Sequence, residues 1–119
     1  MAFAKVERPI PRTKGPIVTF YPWTSPKKSP RMHLSIETYR WIGEPTAVHF
    51  EWDDAGALLR VVASSRDDRH AYPIDSQRRT TTGDLFERLG LHHDENIHLL
   101  AVRDAPLALI VDLSEHRSR

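Results

Sequence analysis

Residues 31–113 contain what reads as one unit written twice, with the second copy beginning forty-seven residues after the first. A shift of 47 places Arg31 on Arg78, Ser35 on Thr82, Glu37 on Asp84, Tyr39 on Phe86, Ile42 on Leu89 and Gly43 on Gly90. Beyond each glycine the offset grows to 50, so that Asp54-Ala55 falls on Asp104-Ala105, Leu59 on Leu109 and Val61 on Val111. A three-residue loop insertion accounts for the drift. A small unit that cannot bury its own apolar face can bury it against a copy of itself, so the repeat predicts a pseudo-twofold body.

The chain has 119 residues, 39% of them hydrophobic, enough for one modest core and not for two. The two units, 31–63 and 78–113, are therefore expected to form one domain, preceded by an arm at 1–30 and followed by a polar tail at 114–119 that frays. With no cysteine, disulfides, thiolate metal sites and a cysteine nucleophile are excluded. The sequence lacks the roughly 20-residue apolar run that spans a bilayer and the apolar core of a leader peptide. The expectation is a soluble, cytoplasmic protein.

Charge is uneven: residues 1–31 hold seven basic residues against one acidic, and residues 32–119 hold ten against fifteen. A basic arm on a mildly acidic body suggests contact with a polyanion or with an acidic protein surface. Six of the nine prolines lie in the arm, which excludes a continuous helix there. Within it the β-branched and aromatic stretch Ile17 to Trp23 is expected to add an edge strand to the body, stopped by Pro22.

Each unit reads as strand, helix, strand, strand. In the first, Met32 to Leu34 is a strand, Ser35 caps a helix with acidic Glu37 in its first turn, Ile36, Tyr39 and Ile42 recur at helical spacing, and Gly43 ends it. Ala47 to Trp52 and Leu58 to Ala63 form a hairpin around Asp53 to Gly56. Across a polar connector, with Tyr72 to Ile74 as an extra short strand, the second unit repeats this. Arg79 to Thr81 is its strand, Thr82 the cap, Leu85, Phe86 and Leu89 the apolar face and Gly90 the end. Asn96 to Val102 and Leu107 to Leu113 form its hairpin around Asp104 to Pro106.

Arg31-Met-His-Leu-Ser35 with Trp41-Ile-Gly43, and Arg78-Arg-Thr-Thr-Thr82 with Arg88-Leu-Gly90, make the chain resemble the swapped-hairpin DNA-binding domains of the AbrB, MazE and SpoVT family, in the tandem form of the MraZ members. The resemblance implies a mainly β, α+β fold: tandem βαββ repeats interlocked in a pseudo-twofold barrel with two short helices and an extended N-terminal arm. It implies a DNA-binding transcription regulator, with Arg31 and Arg78 in contact with double-stranded DNA and Arg40, Arg79 and Arg88 nearby. The body is either a monomer with internal symmetry or a homodimer.

Arginine suits this task because its planar fork donates two parallel hydrogen bonds to a phosphate or a guanine edge. Lys27 and Lys28, just before Arg31, add salt-dependent affinity without specificity. Trp23, aromatic in a proline-rich arm, is a candidate anchor for a protein partner. The alternative function is thus a protein-binding module, antitoxin-like or a phage-encoded modulator of a host protein. Tyr39 and Trp52 fit the apolar faces of the core. Seven histidines show no zinc-ligand spacing, so no metal or cofactor is expected. A phosphate-binding glycine loop, a serine elbow and a His-Glu-x-x-His helix are all missing, and no enzymatic activity is expected.

Overall fold

The computed structural model describes residues 3–4, 15–22, 30–91 and 95–117. Its strands form two antiparallel sheets. One has four strands in the order β6 (Arg79–Thr81), β2 (Arg31–Leu34), β1 (Ile17–Tyr21), β7 (Ile97–Leu100). The other has five, in the order β5 (Tyr72–Pro73), β3 (Ala47–Asp53), β4 (Leu58–Ser64), β9 (Ala108–Asp112), β8 (Val102–Ala105).

Alternation in each strand turns one row inward. Val18, Phe20, Met32 and Leu34 from the first sheet join Val48, Leu59, Val61, Leu109 and Val111 from the second in one buried cluster. Each such side chain, fully removed from water, stabilises the fold by about 1.5–3 kcal/mol before entropy is set against it. Tyr39, Trp41, Phe50 and Trp52 pack on the margin of this cluster, half-buried.

The hairpin of β3 and β4 runs in unbroken register from Ala47 opposite Ser64 to Asp53 opposite Leu58. At its turn the Asp53 carboxylate accepts from the Ala55 amide at 3.2 Å, a local bond that favours a bend over a continuing strand. β4 then pairs with β9, Leu59 facing Val111 and Val61 facing Leu109. On the outer surface Arg60 donates to Glu51 at 2.9 Å and pairs with Asp104 at 3.0 Å, linking β3, β4 and the exposed strand β8.

Helix α1 (Ile36–Trp41) starts as its sequence predicts: Ser35 Oγ accepts from the Thr38 amide, and Gly43, at φ +85°, follows the end of the helix. Helix α2 (Leu85–Arg88) differs. Asp84 stands at its start without a side-chain cap. Thr82, expected there, is buried, and its amide donates to Pro30 O at 2.9 Å. The position before β2 needs a partner, and Thr82 supplies it.

Three further expectations are corrected. The described strands make two sheets and no closed barrel. β1 is not an edge strand, because it lies between β2 and β7 and is paired on both sides. The stretch expected to be the first arm of the second hairpin is divided at Ala101, whose amide donates to Pro16 O at 2.8 Å. Residues 97–100 therefore complete the β1 sheet, and the hairpin is β8 with β9 instead. In the C-terminal segment, Ser114–His116 forms a 3-10 turn and Arg117 bridges to Leu91.

Candidate nucleic-acid interface

The first sheet has a second face, opposite the core, and its composition follows from register. With Val18 and Phe20, Met32 and Leu34, Thr80, and Ile97 turned into the core, their neighbours lie on the opposite face, where Ile17 and Thr19 are themselves buried and Arg31, His33 and Arg79 are half-buried. Cross-strand pairing then sets Arg79, His33, Thr19 and His98 in one row, and Thr81, Arg31 and Tyr21 in the next. Directly opposed residues in antiparallel strands share a face and lie within side-chain reach.

The contacts agree with that placement. The Thr19 hydroxyl and His98 Nδ1 are 2.9 Å apart. The Arg31 guanidinium lies 5.5 Å from the Tyr21 ring centroid, a cation–π distance, and its Nε is buried without a hydrogen-bond partner. That arrangement leaves Arg31 held by an aromatic face and not by a carboxylate.

Arg78 enters the site through its backbone. It adopts φ +61°, a left-handed conformation that costs a non-glycine residue about 1 kcal/mol or more. Its Nε donates to Leu34 O at 3.0 Å. Arg79, the next residue, has its Nε 3.9 Å from Asp75, at the outer limit of an ion pair. One oxygen of the Asp75 carboxylate, Oδ1, accepts from the amides of Gln77 at 2.8 Å and Arg79 at 3.0 Å. Those bonds, the Arg79 amide first, hold its pKa below the ordinary carboxylate value. Asp75 thus stays anionic and ties down the loop through Oδ1, while its Oδ2 faces the Arg79 guanidinium at that longer distance.

His33 is half-buried between these cations. Burial, then Arg78 and Arg79, push its pKa below 6.5, with Asp75 opposing. At neutral pH it is an uncharged hydrogen-bonding group in a basic row.

No protein-family model matches the chain, and no curated protein or solved structure matches it. The site is therefore read from its own chemistry. Of the seven basic residues singled out for DNA, Arg31 and Arg79 share this face and Arg78 immediately precedes β6. Arg40 is exposed in the last turn of α1, and Arg88 is exposed in the last turn of α2, where it lines a cleft beside β3. Lys27 and Lys28, like the proposed partner anchor Trp23, lie outside the described residues.

His33, His98, Thr19 and Tyr21 are the members that motif reading missed. Their signal was the alternation of β1 and β2, which needed the pairing of β1 with both neighbours before it pointed anywhere. Among the described residues, no three histidine or acidic side chains converge as metal ligands, and no helix is long and apolar enough to cross a membrane.

Proposed function

We propose that the chain is a non-enzymatic regulator that binds double-stranded DNA through the outer face of its four-stranded sheet. The observation that carries this reading is the placing of Arg31 on β2 and Arg79 on β6, with Arg78 just before β6, beside a carboxylate that already accepts from two backbone amides through one oxygen. Guanidinium groups without strong internal ion pairs, spaced along a sheet, suit successive phosphates, and each contact releases condensed counterions. Lys27 and Lys28 precede Arg31 in sequence and add positive charge beside it in the chain.

The AbrB-like relation is part of the same proposal, and it rests on the sequence correspondence of the two units. In this reading the chain is an internal pseudo-dimer whose entry arginines, Arg31 and Arg78, occupy equivalent positions.

The test is fluorescence anisotropy with a mixed pool of duplex DNA at low and high salt. Deleting residues 1–30 would remove β1 from the middle of its sheet, so the arm is better probed by substituting Lys27 and Lys28 with alanine. Salt-sensitive binding that weakens by about tenfold or more in the Arg31→Ala, Arg79→Ala double variant is the expected result. Absence of binding, or binding indifferent to both arginines in a protein of unchanged circular dichroism, would overturn the assignment.

A further inference from the structure

In the five-stranded sheet, β3 is paired along only half of one edge. β5 meets it at Ala47 and Val48, and the Ile74 amide donates to Thr46 O at 3.0 Å just beyond. The antiparallel pattern then turns the backbone groups of Thr46, Val48, Phe50 and Trp52 toward β5, and those of the intervening residues toward β4. Because β5 ends after two residues, the amides and carbonyls of Phe50 and Trp52 have no strand partner among the described residues.

That open edge borders a cleft of about 740 Å³, within the size range of ligand sites, between β3 and α2. Phe50 and Tyr72, edge to face at 4.8 Å, line it with Trp52 and Leu89. Arg69 and Arg88, both exposed, contribute the basic side chains, and neither is ion-paired with a described residue. The cleft carboxylate, Asp68, is already used: it accepts from Ser64 Oγ at 2.8 Å and the His70 amide at 2.9 Å, and lies 3.7 Å from His49 Nδ1.

We infer that this edge accepts an extended acidic peptide from a partner protein as an added strand. Unsatisfied amides and carbonyls on an exposed strand are a template for another backbone, and a nucleotide would leave them unmatched. Peptide side chains turned into the cleft would meet Phe50, Tyr72, Trp52 and Leu89 where they are apolar and Arg69 and Arg88 where they are acidic, while those between turn to the other face of the sheet. The site is separate from the arginine face, and its fate is independent of the DNA proposal.

The test uses the full chain and an end-blocked synthetic peptide in which valine and glutamate take turns at every second position with threonine between, read by amide hydrogen exchange and by titration. Binding is expected to slow exchange at the Phe50 and Trp52 amides. It should weaken about tenfold when alternate peptide amides are N-methylated, and again in Arg69→Glu, Arg88→Glu, where a lysine–valine peptide should take over. The idea fails if the peptide does not bind at millimolar concentration, or binds with those two amides still exchanging freely. It fails equally if adenosine monophosphate, and not the peptide, perturbs Trp52.

Discussion

Arg78 grips Leu34 at both ends of its backbone: the Arg78 carbonyl accepts from the Leu34 amide at 3.0 Å, and the Arg78 Nε donates to the Leu34 carbonyl at 3.0 Å. One residue thereby fixes the end of β2 to the start of β6 and aims its own guanidinium while doing so. Arg78→Ala should lose the Nε bond, costing about 1–2 kcal/mol. Arg78→Gly loses the same bond but relieves the left-handed φ, so it should be the less damaging of the two by about 1 kcal/mol. Urea unfolding of both variants checks the order, and a reversed order would contradict the strain argument.

Arginine contacts with phosphate should be countable from salt. If Arg31 and Arg79 each meet one phosphate, the double alanine variant should flatten the plot of log affinity against log salt by about 2, near 0.9 per contact. Arg88→Ala, which alters the cleft beside β3, should leave the slope unchanged. Anisotropy titrations across several salt concentrations separate these outcomes.

His33 makes the arginine face pH-sensitive in a direction that can be worked out. Its folded pKa lies below 6.5 because burial and the neighbouring Arg78 and Arg79 disfavour its charged form, Asp75 being the opposing charge. Across the row stand Thr19 and His98, and Arg31 is on the same strand. A depressed histidine contributes stability that is complete above the unfolded pKa and is lost as pH falls below about 6.5, where the unfolded chain takes up the proton first. The unfolding free energy of the wild type should therefore fall relative to His33→Gln between pH 7 and pH 5.5. A bound phosphate reverses the local field and raises the pKa, so DNA affinity should rise over the same interval, and His33→Gln should remove that rise.

Gly43 and Gly90 follow the two helices with φ of +85° and +69°, yet they should not respond alike. A Cβ on Gly43 would lie 3.2 Å from Leu107 Cδ2, whereas one on Gly90 meets nothing within 4 Å. Both alanine substitutions incur about 1 kcal/mol of backbone strain. Gly43→Ala should cost more, by the displacement of Leu107, and thermal unfolding of the pair measures the difference.

What could be read from sequence was local. The β-branched run before Pro22, the Ser35 cap and the Ala47 to Ser64 hairpin all declare themselves through neighbours within a few residues. The sheet position of β1 does not, because Val18 finds Leu34 on one side and Leu99 on the other, and no local pattern marks a partner so distant in the chain. The break at Ala101 was hidden for the same reason: β1 requires a second neighbour, and that demand divides a stretch that reads as one strand. Among candidate site residues, Arg31 and Arg79 were visible as basic entries to each unit. Their companions His33, Thr19 and His98 became visible only with the register, since each alone is an ordinary polar residue on a strand.

The hydroxyl of Thr19 meets His98 across 79 positions of sequence. During synthesis on the ribosome, the strand that carries Thr19 emerges early and must wait, half-matched, until residue 100 has left the exit tunnel. Closing so long a loop is an entropic cost paid before any contact rewards it. The nascent chain therefore has one edge of this strand open until β7 is made, and the row that runs from Arg79 across it to His98 is completed last.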